Sequence, residues 1–222
     1  HVRRGLQIPA NDPLVLLSAL AATTQRIGLA LTSSVIQTHP YTFARQLSTL
    51  DHLSGGRVGW NVVTSALENA HRNYGGAELA RHGDRYDRAE EYLDVCYKLW
   101  EGSWDDDALL ADKTFEHARG VGLHADPAKV AKIHHTSANY QVEGPHLSSP
   151  SPQRTPLLFQ AGSSDRGRQV AAEHAEATFS MAPRLSQARD HAADVRRRAV
   201  TAGRRAEDVK FIQGLSFVIG ST

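Results

Sequence analysis

The chain has little of what marks several protein classes. Cys96 is its single cysteine among 222 residues, so no internal disulfide can form and a disulfide-stapled secreted scaffold is excluded. Charge of one sign is not in surplus: 25 Lys and Arg face 24 Asp and Glu, leaving +1 with the 12 His neutral. A dedicated nucleic-acid binder or a polybasic membrane module concentrates Lys and Arg on one surface, so neither partner is expected. No apolar run approaches the roughly 20 residues that span a bilayer, and no succession of charged, apolar and small residues resembles a signal peptide. The expected location is cytoplasmic. His-Glu-x-x-His and Cys/His ligand spacings are missing, and His134-His135 are adjacent and so point apart; no metal is expected. A Gly-x-Ser-x-Gly elbow, a P-loop and a Gly-x-Gly-x-x-Gly turn after the first strand are also missing, which argues against a serine hydrolase, a P-loop nucleotide binder and a Rossmann domain in turn.

What is present suffices for a core. Hydrophobic residues make up 41% and aromatics 7%, and the length suits one domain or at most two. Asn11-Asp12-Pro13 predicts a helix start, with Asp12 as cap and Pro13 at the first helical position. Helix is then expected over 14–25, 41–53, 84–100, 165–174 and 184–202. Short apolar strands are expected over 27–32, 58–63, 157–161, 177–180 and 209–218. In the clearest helix Tyr86, Ala89, Leu93, Cys96 and Trp100 fall at alternating three- and four-residue steps on one face. Cys96 on that stripe reads as buried filler. Strands alternating with helices imply βαβ units and a parallel sheet. The stretch 102–156 interrupts the alternation with Asp105-Asp106-Asp107 and a loop carrying Pro145, Pro150, Pro152 and Pro156, and reads as an excursion packed over one end of the sheet.

The most informative local signal is Gln160-Ala161-Gly162-Ser163-Ser164-Asp165, a strand ending in Gly and two Ser before a helix. Free N–H groups and the positive end of the helix dipole suit an anion there, a phosphate above all; Ser163 or Ser164 can equally be a plain N-cap. Thr32 and Asn61 stand at carboxyl ends of strands, where parallel α/β folds place their ligands, although turn chemistry also favours such residues. His82 and Tyr86, four apart at a helix start, can share one face and donate to a phosphate or a flavin oxygen, or serve as a solvated His and a core anchor. Arg196-Arg197-Arg198 with Arg204-Arg205 reads as a solvated basic surface near a helix end.

Particular strings go further. His39-Pro40-Tyr41, Leu50-Asp51-His52-Leu53-Ser54-Gly55-Gly56-Arg57, Gly59-Trp60-Asn61-Val62-Val63-Thr64-Ser65, Arg85-Tyr86, Gln160-Ala161-Gly162-Ser163-Ser164 and Gly167-Arg168 resemble the bacterial luciferase-like flavin monooxygenases. The resemblance is specifically to the subgroup acting on nitrilotriacetate, EDTA, dibenzothiophene sulfone and long-chain alkanes. The resemblance implies a (β/α)8 TIM barrel, with about strands 3 to 7 present, 102–156 inserted after the fourth barrel strand, and residues 1–222 forming an internal fragment of one domain. It implies reduced FMN from a separate NAD(P)H:flavin reductase, O2 as oxidant, a small organic substrate, and a homo-oligomer when complete. Residue by residue, Thr32, Asn61, His82 and Tyr86 match flavin contacts, and Ser163 and Ser164 match the phosphate-binding turn; no catalytic residue is assigned. The excursion is expected to form part of a lid or substrate wall. A deazaflavin-dependent oxidoreductase of the same superfamily, a non-catalytic flavin-binding or truncated barrel, and an unrelated phosphate-ligand barrel enzyme are the alternatives.

Overall fold

The computed structural model describes residues 2–5, 10–65, 67–76, 78–110, 124–215, 217 and 219–220. Asp12 caps α1 (Pro13–Thr23), its Oδ1 accepting from the Val15 N–H at 3.0 Å. There follow β1 (Leu29–Ser34), α2 (Pro40–Ser54), β2 (Val58–Val63), the short α3 (Glu68–Asn73) and the long α4 (His82–Gly102). The excursion carries a small antiparallel hairpin, β3 (His135–Thr136) and β4 (Gln141–Val142). The chain then alternates through β5 (Leu157–Gln160), α5 (Asp165–His174), β6 (Ala177–Ser180), α6 (Leu185–Thr201) and β7 (Lys210–Gln213).

Five strands pair in parallel in the order β1-β2-β5-β6-β7. Neighbours in the sheet are therefore successive in the chain, apart from the hairpin. Alternate residues Leu29, Leu31, Val58, Trp60, Val62 and Leu158 are buried under the helices. Their opposite-facing neighbours Ala30, Thr32, Leu157, Phe179 and Ile212 are exposed. A doubly wound sheet carries helices on both faces; helices on one face only, with strands in chain order, are the winding of a (β/α)8 barrel wall. Among the described residues the wall is an open arc of five strands, so the barrel is incomplete in this chain.

The α4 stripe is the spine of the core: Tyr86, Ala89, Leu93, Cys96 and Trp100 are all buried. Burial pushes the Cys96 thiol well above its usual pKa, which leaves it inert packing. Phe43 of α2 and Tyr92 of α4 close over Trp60, with ring centroids 4.7 and 5.8 Å from it, a tilted cluster of the kind aromatic quadrupoles favour.

β1 begins two residues later than its apolar pattern predicts, because the Ile27 carbonyl is captured by a side chain. Arg57 donates from Nη1 to Ile27 O at 2.6 Å, from Nη2 to Thr24 O at 2.8 Å and from Nε to Ser54 O at 2.7 Å. The ladder starts only where the Leu29 N–H meets Arg57 O at 2.7 Å. One planar fork thus ties the end of α1 and the end of α2 to the strand that follows, a geometry an ammonium lacks. Arg57→Lys is expected to cost about 1–2 kcal/mol of stability, read as a lower urea midpoint with unchanged slope; an unchanged midpoint would show the fork to be dispensable.

The described part of the excursion does not cover the mouth of the sheet, which corrects the lid expectation for residues 102–110 and 124–156; residues 111–123 lie outside the described residues. It runs down the outer side of α2 and α4. Glu91 accepts from the Tyr140 N–H at 3.0 Å and the Asn139 side chain at 2.5 Å, and Tyr41 donates to Pro145 O at 3.3 Å. Buried His146 meets Ser48 Oγ at 2.9 Å. The Gln153 side chain pairs with both the N–H and the carbonyl of Val58, at 2.7 and 3.1 Å, at the amino end of β2.

The basic cluster lies at the surface, as expected. Arg197 and Arg198 pair with Asp194, and Arg196 lies over the Phe211 ring at 4.9 Å. Arg204 donates to the carbonyls of Ala172 and Ala175, and Arg205 pairs with Asp208 at 2.6 Å. Arg196, Arg197 and Arg205 remain exposed, so the cluster is a solvated surface whose cations each also have a local partner.

Candidate functional site

The six residues singled out in the sequence all stand at the carboxyl edge of the sheet or on the helix turns above it. Thr32 and Asn61 occupy paired register positions on β1 and β2, and Asn61 Nδ2 donates to Thr32 Oγ1 at 3.1 Å. Asn61 Oδ1 is buried and has no partner, an acceptor left open beside the strand ends.

Tyr86 and His82 rise from the first turns of α4, ring centroids 5.0 Å apart. His82 is exposed. Tyr86 is only 7% exposed, and its hydroxyl rests on the turn between β5 and α5. A Cβ placed on Gly162 would lie 2.7 Å from that hydroxyl and 2.9 Å from Gly167 Cα; one on Gly167 would lie 2.8 Å from Gly162 Cα. Glycine is required at both positions because two backbones and a phenol meet there. Gln160, buried at the end of β5, fixes the same turn by accepting from the Gly162 N–H at 2.7 Å.

Ser164 is the N-cap of α5, its Oγ accepting from the Gly167 N–H at 3.1 Å. The plain capping role is realised, and the hydroxyl hydrogen stays available to donate. Ser163 lines a cleft of about 470 Å³ between the ends of β5 and β6, together with Arg168, Phe179, Met181, Gln187 and His191. That volume lies within the roughly 300–1,000 Å³ of ordinary ligand pockets. Arg168 is held by Ser163 O at 3.0 Å and by Asp194 at 3.2 Å. His191 is 7% exposed with its Nε2 unpartnered; burial, aided by the Arg168 charge, holds its pKa below the usual histidine value, so it is neutral at pH 7.

Four residues at this edge escape pattern reading. Gln160 and Arg168 lie inside strings quoted for the resemblance, but nothing in their spacing gives them a role. His191 has a legible signal, since His191, Val195 and Ala199 step by four along the buried face of α6. Arg85 donates to the Ser65 carbonyl, a contact no local pattern announces.

One arrangement away from this edge mimics a known catalytic device. His135 Nε2 lies 2.9 Å from Ser137 Oγ and its Nδ1 lies 3.3 Å from Asp94, the outline of a serine-hydrolase triad. Lys98 Nζ also lies 3.1 Å from that Nδ1, and Ser137 donates to Glu91 rather than to the ring, so its hydroxyl proton is not presented to the imidazole as a nucleophile's must be. The group anchors the hairpin. No cluster of three or more metal-ligating side chains occurs among the described residues, and no helix among them is long and apolar enough to cross a membrane.

The winding of the sheet agrees with comparison to known proteins. A long-chain alkane monooxygenase of Geobacillus thermodenitrificans (strain NG80-2) is 47% identical over 221 residues, covering all of this chain and 49% of the relative. The solved structure of a long-chain alkane monooxygenase superposes with a TM-score of 0.90, covering 96% of this chain and 48% of the other. A riboflavin lyase solved with modified FMN and riboflavin gives a TM-score of 0.89 at 43% identity, with 97% and 47% covered. The chain spans about half the length of the curated relatives it matches. The family described as Luciferase-like monooxygenase matches residues 2–222, and with a barrel wall wound in chain order and relatives of this likeness, the chain belongs to that family.

Proposed function

We propose that the protein carrying this chain is a two-component FMN-dependent monooxygenase, using reduced FMN from a separate NAD(P)H:flavin reductase and O2 to oxygenate a small organic compound. The observation that carries the reading is the turn Gly162–Gly167 at the start of α5: two glycines, two serines and the Tyr86 hydroxyl build a tight cradle at a helix N-terminus, suited to a phosphate. Unpartnered Asn61 Oδ1 and His191 Nε2 mark the same edge as built to receive polar groups. The residues present therefore fit FMN, and the modified FMN of the riboflavin lyase relative supports the choice.

Ser163, Ser164 and the first N–H groups of α5 would hold the phosphate, and Tyr86 keeps that turn in place. Thr32 and Asn61 would orient the ring. When bound, reduced FMN supplies the electrons with which O2 delivers one oxygen atom to the substrate and one to water. Phe179 and Met181 give the adjoining cleft apolar walls that help exclude water. The substrate class, a xenobiotic sulfur or amine compound or an alkane, belongs to this proposal, as do a homo-oligomer and a cytoplasmic location.

Replacing Ser163 and Ser164 together by Ala in the protein that carries this chain is expected to weaken FMN binding about tenfold, the loss of charge-assisted hydrogen bonds to a phosphate, in a fluorescence titration. Failure of the parent protein to bind oxidised or reduced FMN would overturn the reading. Preference for a deazaflavin would favour the hydride-transferring alternative, and tight FMN binding without substrate-dependent oxygen uptake the non-catalytic one.

A further inference from the structure

Three locally unfavourable features meet at the carboxyl ends of β1 and β2. Ser65, just past β2, is held at φ +52°, a left-handed geometry that persists in a serine only where its surroundings enforce it. Arg85 stands near the start of the 21-residue α4, where the positive end of the helix dipole disfavours a cation. Its Nη1 donates to the Ser65 carbonyl, yet its Nε is buried without a partner. No ion pair to Arg85 occurs among the described residues, although the neighbouring acids Asp87 and Glu90 both pair with Arg166. The Ser65 hydroxyl meets Ser34 Oγ at 2.9 Å, so the guanidinium is tied into a polar chain that crosses both strand ends.

A buried, unpaired N–H on a cation calls for an anionic acceptor. Arg85 lies one residue before Tyr86 and three after His82, in the same helix turns as the flavin-contact candidates. Oxidised FMN has a neutral ring; two-electron reduction with uptake of one proton leaves a negative charge on its pyrimidine edge, while the phosphate is the same in both forms. Charge beside the ring is the lever by which a protein favours one redox form.

We propose that Arg85 is the electrostatic partner of the reduced flavin ring, so that this site prefers reduced to oxidised FMN. The inference rests on the flavin reading, and its test separates the two. Binding constants for oxidised FMN and for anaerobically dithionite-reduced FMN are measured on the parent protein, Arg85→Gln and Arg85→Lys, in each case with a circular-dichroism check of folding. The parent protein should bind reduced FMN at least about tenfold more tightly, the range of a charge-assisted hydrogen bond. Arg85→Gln should lose most of that preference while its oxidised-FMN affinity changes little, and Arg85→Lys should keep part of it. Equal loss for both redox forms would reduce Arg85 to a structural brace and overturn the inference. If Arg85→Gln fails to fold, the parent protein decides: equal affinity for the two forms overturns the inference while leaving the flavin reading intact. No binding of either form overturns both.

Discussion

Gly167→Ala is expected to destabilise the protein by about 2 kcal/mol or more and to weaken FMN binding by about a hundredfold. Inside an ordinary helix the same change stabilises by up to about 1 kcal/mol, because alanine loses less backbone entropy than glycine. Here the new methyl meets the Gly162 backbone at 2.8–2.9 Å and the Tyr86 hydroxyl at 2.9 Å. Neither backbone can turn aside as the tip of a flexible side chain would, so the first turn of α5 must back away from β5, at the roughly 1–3 kcal/mol typical of overpacking. That displacement moves the Ser163 and Ser164 donors, and about 1 Å at a positioning group costs on the order of a hundredfold. Urea unfolding and FMN titration of the variant check both halves. A Gly167→Ala protein as stable as its parent, with unchanged FMN affinity, would show that the cradle is not tight.

Acid is expected to remove about 3 kcal/mol of stability between pH 6.5 and 4 through His146 alone. Its ring is buried against Ser48, with Nδ1 unpartnered, and burial first, then the charges of Arg45 and His52, push its pKa from 6.5 down to about 4. The unfolded chain takes up a proton below pH 6.5 that the folded chain refuses until about pH 4. The contribution is therefore complete above 6.5, lost progressively through that window and constant below it, at about 1.4 kcal/mol per unit of pKa difference. His174 and His191 are shifted in the same direction by burial and steepen the fall. In His146→Gln, which keeps a hydrogen-bonding group but does not titrate, the protein should be weaker at pH 7 yet lose clearly less than its parent on going to pH 4.5. Identical pH profiles for the two proteins would contradict the assignment.

The sheet and its helices were legible because their signals are local. The span of α5 follows from its own cap and first turn, that of β2 from an apolar run that Asn61 alone interrupts with a polar side chain, and the α4 stripe from a spacing that packing alone rewards. β1 was misplaced by two residues because a side chain 30 positions away, Arg57, takes the Ile27 carbonyl out of the ladder; no reading of 27–32 contains that fact. The hairpin β3–β4 went unseen because its two-residue strands are held by Glu91 and Lys98 of a distant helix, not by an alternation of their own. At the site the same divide holds. Ser163 and Ser164 announced themselves by a turn-then-helix pattern, and the resemblance raised Thr32 and Asn61 above ordinary loop chemistry. Arg85 stayed hidden because its meaning lies in what surrounds it: a strained carbonyl, a helix dipole and an N–H with nothing to bind.

The excursion reaches the site without covering it. Its described residues are fastened along α4 through Glu91, Arg88 and Lys98, and the first turns of that same helix carry His82, Arg85 and Tyr86. α4 acts as a beam, loaded on its flank and read at its tip, where the Tyr86 hydroxyl sets the clearance to the next helix. Sequence drift in 124–146, on the outer flank of α4, can then retune the mouth by tilting the beam, and directed evolution of this family would gain by sampling that outer flank as well as the pocket walls.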